Sequence, residues 1–124
     1  MTAKGRILIV EDNERNMKLF RDVLGATGYE TLEAASGEAA VTVAGEQTPD
    51  LVLMDIQLPD IDGLEALRRL RADERTAAVP VLALTAQAMQ GDRERFLEVG
   101  FDGYLSKPVD VVELVRTVGE HCGH

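Results

Sequence analysis

Tryptophan is absent from this 124-residue sequence, and aromatic residues make up only 4% of it. A core drawn from this chain, which is 45% hydrophobic, must be mostly aliphatic. There is a single cysteine, Cys122, so no intramolecular disulfide can form and no thiolate metal site can assemble. Long apolar runs are also missing. Nothing approaches the roughly 18 apolar residues of a membrane span, and the opening MTAKGRILIV carries no apolar leader segment. A cytoplasmic protein is therefore expected. Positive charge is scarce, with 13 Lys and Arg against 22 Asp and Glu and a formal net charge of -9. Nucleic-acid phosphates and anionic membranes would repel such a surface, which suits basic protein surfaces and cations instead. No linker or low-complexity tract interrupts the chain, so residues 1–124 read as a single domain.

What is present is an alternation of two periods. Ile7 to Val10, Leu51 to Met54 and Val81 to Leu84 are near-continuous apolar runs of strand length, the habit of strands covered on both faces. Weaker strands are expected at Tyr29 to Ala34 and Phe101 to Leu105. Helical spacing lies between them. Met17, Phe20, Val23 and Leu24 share a face that Gly28 would stop, and Ala39, Ala40, Val43 and Ala44 follow a possible Ser36 cap. Leu64, Leu67 and Leu70 mark a third helix, Met89, Phe96 and Leu97 a fourth, and Val111, Val112, Leu114, Val115 and Val118 a fifth. Five strand-helix units in strict alternation argue for an α/β fold, a doubly wound five-stranded parallel sheet with right-handed crossovers. Ligand sites in such sheets lie beyond the carboxyl ends of the strands.

Those ends carry Glu11 and Asp12, Asp55, Thr85, and Ser106-Lys107-Pro108. Each has an ordinary explanation taken alone. Acids favour helix N-termini, threonine caps helices, lysine is usually solvated, and proline starts helices. Together they form a chemical set. Carboxylates crowded within about 4–6 Å repel one another, so one is protonated or a cation sits among them. An all-oxygen donor set suits Mg²⁺ or a similar hard ion. With a lysine and a hydroxyl beside it, this set is what phosphoryl transfer to a carboxylate requires.

The stretches ILIVEDNERN, LVLMDIQLPDIDG, VPVLALTA and GYLSKPV, and the spacing of Asp12, Asp55, Thr85 and Lys107, carry a resemblance over the whole length. The sequence resembles the CheY-like receiver domain of bacterial two-component response regulators. Through EDNERNMKLF, GYETLEA and LMDIQLP it is particularly similar to the stand-alone cell-division and cell-fate receivers of alphaproteobacteria. The resemblance implies a flavodoxin-like strand order, 2-1-3-4-5. It also implies that Asp55 accepts a phosphoryl group from a histidine kinase or a histidine phosphotransfer protein. Asp12 would bind Mg²⁺ (or Mn²⁺) directly, Glu11 would hold a metal-bound water, and Gln57 would offer its backbone carbonyl. Thr85, Ala86 and Lys107 would meet phosphoryl oxygens, Tyr104 would be the switch aromatic, and the Lys107–Pro108 bond would be cis. Gln57 and Gln87 stand where the family tunes loss of the phosphoryl group. Asn13, Arg15, Asn16 and Leu19 on the first helix would dock on a kinase. The protein would be a monomer that signals to a downstream protein effector such as another kinase.

Because the chain ends at His124, just past the fifth helix, a DNA-binding output domain is not expected, and output would be a protein contact or onward passage of the phosphoryl group. A receiver of a hybrid histidine kinase is the nearer alternative. An aspartate-nucleophile phosphatase is more distant, because it needs an acid two residues after the nucleophile and Gln57 stands there. A flavin-binding domain is disfavoured, because Glu11 and Asp12 would repel a phosphate at the first strand's end.

Overall fold

A computed structural model describes residues 5–86 and 92–122 of the chain. Five strands, β1 (Arg6–Val10), β2 (Glu30–Ala34), β3 (Leu51–Asp55), β4 (Val81–Thr85) and β5 (Gly103–Ser106), alternate with five helices. The helices are α1 (Glu14–Ala26), α2 (Gly37–Gln47), α3 (Gly63–Ala72), α4 (Asp92–Glu98) and α5 (Val111–His121). The strands form one sheet in the order β2-β1-β3-β4-β5, and every neighbouring pair is parallel. This is the expected order.

The apolar runs are continuous because both faces are covered. Ile7, Ile9, Leu51, Leu53, Leu82 and Leu84 point to one side, against Phe20 and Leu24 of α1 and Leu114 and Val118 of α5. Leu8, Val10, Val52, Met54, Val81 and Ala83 point to the other, against Ala40 and Ala44 of α2 and Ala66, Leu67 and Leu70 of α3. The period of two along each strand divides one sequence run between two cores.

Strand limits at two places differ from the sequence reading, for one reason. Gly28 has φ 103° and Gly100 has φ 113°, and each closes the helix before it. The Tyr29 N–H donates to the Leu24 carbonyl and the Gly28 N–H to that of Gly25. The Phe101 N–H donates to the Phe96 carbonyl and the Gly100 N–H to that of Leu97. This paired pattern is a Schellman cap, whose apolar residue after the glycine packs back on the helix. The ring of Phe101 accordingly meets that of Phe96 edge-on, 6.0 Å between centroids. Tyr29 and Phe101 are thus helix-capping residues, not the first residues of β2 and β5.

The helix faces also need correction. Leu64, Leu97, Val111 and Val112 are exposed, Val112 by 77%. Leu64 and Val111 lie in the first turns of their helices, so the apolar periodicity extended too far toward each N-terminus. Met89, assigned to the fourth helix's face, lies outside the described residues. The Ser36 cap is present, its hydroxyl accepting the Ala39 N–H at 3.1 Å.

Candidate functional site

The carboxyl ends of β1, β3, β4 and β5 meet at one edge of the sheet. Val10 pairs with Met54, Asp55 with Leu84, and Thr85 with Ser106, so Glu11, Asp55, Thr85 and Lys107 are brought side by side. Asp55 and Thr85 are themselves the last residues of their strands, which lets the ladder fix their backbones.

Glu11 and Asp55 are nearly inaccessible, at 2% and 4% exposure, while Asp12 is exposed. The Lys107 ammonium donates to Glu11 Oε2 at 2.9 Å and to Asp55 Oδ2 at 2.8 Å. The Gln57 N–H donates to Asp55 Oδ1 at 2.9 Å, so both oxygens of this carboxylate are held. Burial drives the Glu11 carboxyl above the usual glutamate range; its bond to Lys107 pulls it down and the charge of Asp55 pushes it up again. Burial alone would lower the Lys107 ammonium, but its bonds to Asp55 and Glu11 outweigh that, and the net shift is upward. The pocket therefore favours extra positive charge. Ionised Glu11 costs stability at neutral pH, and that cost is recovered as pH falls through its raised value toward 4.5.

Glu11, Asp12 and Asp55 each offer one carboxylate oxygen, and these atoms lie within 4.8 Å of one another. Three carboxylates against the ammonium of Lys107 leave two negative charges for a hard dication to match. Oxygens this far apart fit an ion such as Mg²⁺, reached directly by some ligands and through its water by others. Among the described residues, this is the grouping of acids that could hold a metal. Asp12→Asn removes one of these three charges. Losing one like charge should raise the melting temperature in Mg²⁺-free buffer by a few degrees, because the repulsion within the cluster is relieved. The same variant should lose the stabilisation that millimolar Mg²⁺ gives the wild type. Thermal melts with EDTA and with Mg²⁺ check both.

The loop after β3 is fixed by contacts of Asp60 and Gly63. The Asp60 carboxylate accepts the N–H groups of Gly37 and Glu38, at 2.8 and 2.9 Å, and so caps α2 from across the molecule. Those bonds, that of Glu38 foremost, hold its carboxyl below the usual aspartate range. A Cβ on Gly63 would lie 2.6 Å from the Asp55 carbonyl oxygen, so only glycine lets α3 start this close to the acid. The sequence contains the Gly63 signal, a glycine opening a helix, but Asp60 pairs with a helix 23 residues earlier and has no local signature.

The remaining expected residues fall as follows. Gln57, Thr85 and Ala86 line a groove with Leu64, Phe96 and Val99. Gln87 lies outside the described residues. Tyr104 is half-buried, its ring 6.1 Å from that of Phe96. The Lys107–Pro108 bond is cis. Asp110, not Pro108, caps α5, accepting the N–H groups of Val112 and Glu113. Asn13 caps α1, Arg15 and Leu19 are exposed on it, and Asn16 is half-buried. No helix among the described residues is long and apolar enough to cross a membrane.

Comparison with known proteins agrees with this geometry. Residues 7–119 match the response regulator receiver domain family. The chain is 50% identical over 117 residues to the polar-differentiation response regulator DivK of Brucella ovis, covering 94% of this chain and 95% of that protein. It is 48% identical over the same length to DivK of Brucella anthropi. Among solved structures it is similar to the receiver domain of a sensor histidine kinase from Pseudomonas aeruginosa PAO1, which has a magnesium ion coordinated in its active-site cleft. That match has TM-score 0.89 and 43% identity, and covers 98% of this chain and 100% of that one. It is also similar to the chemotaxis protein CheY4 of Vibrio cholerae, with TM-score 0.88 and 26% identity over 98% of this chain and 99% of that one.

Proposed function

The chain belongs to the response regulator receiver family, and on that footing we propose that Asp55 accepts a phosphoryl group from the phosphohistidine of a histidine kinase or a histidine phosphotransfer protein. A member of this family is a signalling phosphoacceptor, not an enzyme turning over an external substrate. The observation that carries the assignment is the position of the Asp55 carboxylate: buried, held at both oxygens, and beside two further acids and a lysine.

In the step proposed, a carboxylate oxygen of Asp55 forms a bond to phosphorus while the phosphorus–nitrogen bond breaks. The electron pair of that bond leaves with the imidazole. Asp12 and Asp55, the backbone carbonyl of Gln57, and Glu11 through a water would hold a Mg²⁺ ion, which supplies positive charge against the phosphoryl oxygens. Lys107 exchanges a carboxylate partner for a phosphoryl oxygen without leaving the pocket. Thr85 and Ala86, at the end of β4, offer the remaining hydrogen-bonding side.

The modification adds about −1.5 to −2 charges to a pocket that already carries three acids. Movement of Thr85 toward the phosphoryl group, followed by Tyr104, would bias a two-state face formed by α4, β5 and α5. Output is then a contact with a downstream protein such as another kinase. The match to DivK proteins across 95% of their length supports a receiver concerned with polar differentiation and cell division. The 43% identity to a kinase-borne receiver supports a second role, as a phosphorelay intermediate that passes the group onward.

The test uses a small phosphodonor, acetyl phosphate. With Mg²⁺ it should label the wild type, and it should fail to label Asp55→Asn or the wild type in EDTA. Equal labelling of the variant would reject the assignment.

A further inference from the structure

We propose that Asn16 is a positioning residue of the cation site, its side-chain amide holding the Glu11 carboxylate in the orientation a dication meets. The proposal rests on the reading of Glu11, Asp12 and Asp55 as that site. It gives Asn16 an inward task, where the sequence suggested an outward, partner-facing one.

Glu11 is buried, so both ends of its carboxylate need partners. Oε2 receives the Lys107 ammonium at 2.9 Å. Oε1 receives the Asn13 N–H at 3.3 Å and the Asn16 Nδ2 amide at 3.4 Å. Helix geometry explains why Asn16 can reach. Asn13 caps α1, its side-chain oxygen accepting the Asn16 N–H at 3.1 Å, which puts Asn16 at the third position of the helix. Side chains on a helix lean toward its N-terminus. That lean carries the Asn16 amide back over the segment leaving β1, where Glu11 lies. Arg15 and Leu19, on the same helix, are exposed, while Asn16 is half-buried.

The residue type suits the task. An amide donates a hydrogen bond to a carboxylate without neutralising it, so the negative charge stays available to a cation. A lysine here would compete with the ion, and an acid would add to the repulsion. A carboxylate already fixed in place surrenders less freedom when the ion binds.

Two measurements test this: Mg²⁺ binding by calorimetry, and labelling by acetyl phosphate, a donor with no protein surface to dock. Asn16→Ala should bind Mg²⁺ about tenfold more weakly, the lower end of the range for groups that orient metal ligands. Its labelling should be slow at low Mg²⁺ and recover at saturating Mg²⁺. Asn16→Gln, which keeps the amide, should bind Mg²⁺ more tightly than Asn16→Ala. If Asn16→Ala matches the wild type in both measurements, Asn16 acts on partners alone and the proposal is overturned. Equal losses in the alanine and glutamine variants overturn it too. A wild type that itself fails to bind Mg²⁺ would instead remove the cation site on which the proposal rests.

Discussion

Lys107→Ala should slow labelling by acetyl phosphate about 10²–10³-fold, the usual cost of removing one preorganised donor to developing charge. It should also destabilise the Mg²⁺-free protein by about 3 kcal/mol, because breaking a buried ion pair leaves charges uncompensated. The structure explains why both effects are large. Glu11 and Asp55 are each bonded to the ammonium, and neither carboxylate can turn to bulk water for compensation. The Lys107 side chain is itself only 19% exposed, so solvent screens the pairs weakly. Mg²⁺ should recover part of the lost stability, since a dication can stand in for the missing charge, but not the lost rate. The ion cannot replace a donor aimed from just beyond the end of β5. Chemical denaturation with and without Mg²⁺, alongside labelling rates, separates the two effects. A variant as stable as the wild type in EDTA would show that the ammonium does not hold the pocket together.

Arg71→Ala should lower stability by about 3 kcal/mol, or roughly 10 °C in melting temperature, without touching the acidic pocket. The Arg71 guanidinium donates to the carbonyls of Ala77 at 3.1 Å, Val79 at 2.6 Å and Gly100 at 3.0 Å, and to the Asp102 carboxylate at 2.9 Å. Asp102 also accepts the Val81 N–H, at 2.8 Å. One side chain thus ties the loop before β4 to the cap of α4 and the start of β5. Removing it takes the donor from the half-buried Val79 and Gly100 carbonyls and leaves Asp102 bonded to the Val81 N–H without its tie to α3. Arg68→Ala provides the contrast. Among the described residues its guanidinium meets Glu65, and both groups are solvent-accessible. Such pairs contribute little, so that variant should melt within a degree or two of the wild type. Equal melting temperatures for the two variants would contradict the assignment of Arg71 as a tie between loops.

The contrast between those arginines shows which parts of the molecule are legible in its sequence. Local patterns are. The apolar runs of β1, β3 and β4 announce strands covered on both faces, and the chemistry sits where a parallel sheet puts it, at their carboxyl ends. Ser36 and Gly28 mark helix limits through rules that span three or four residues. Arrangements that depend on distant partners are not legible. Arg71 and Asp60 look like ordinary surface charges until folding brings Gly100 and Gly37 beside them. Tyr29 and Phe101 read as strand residues because an aromatic next to a β-branched or apolar run fits a strand as well as a Schellman cap. Val111 and Val112 fit the helical period but stand at the turn where α5 has not yet reached the sheet. Asn16 is the instructive case at the site. The family resemblance suggested docking, and the backward lean of its side chain brings it to Glu11.

On the function proposed, Asp55 carries the phosphoryl group and a divalent ion among the three acids is needed to put it there. Borohydride reduction of acetyl phosphate-treated protein, followed by peptide mapping, tests it most directly. Residue 55 alone should be recovered as the reduced derivative of an acyl phosphate, and only when Mg²⁺ was present. Recovery of the derivative at Asp12 or Glu11, or undiminished recovery at residue 55 in EDTA, would contradict it.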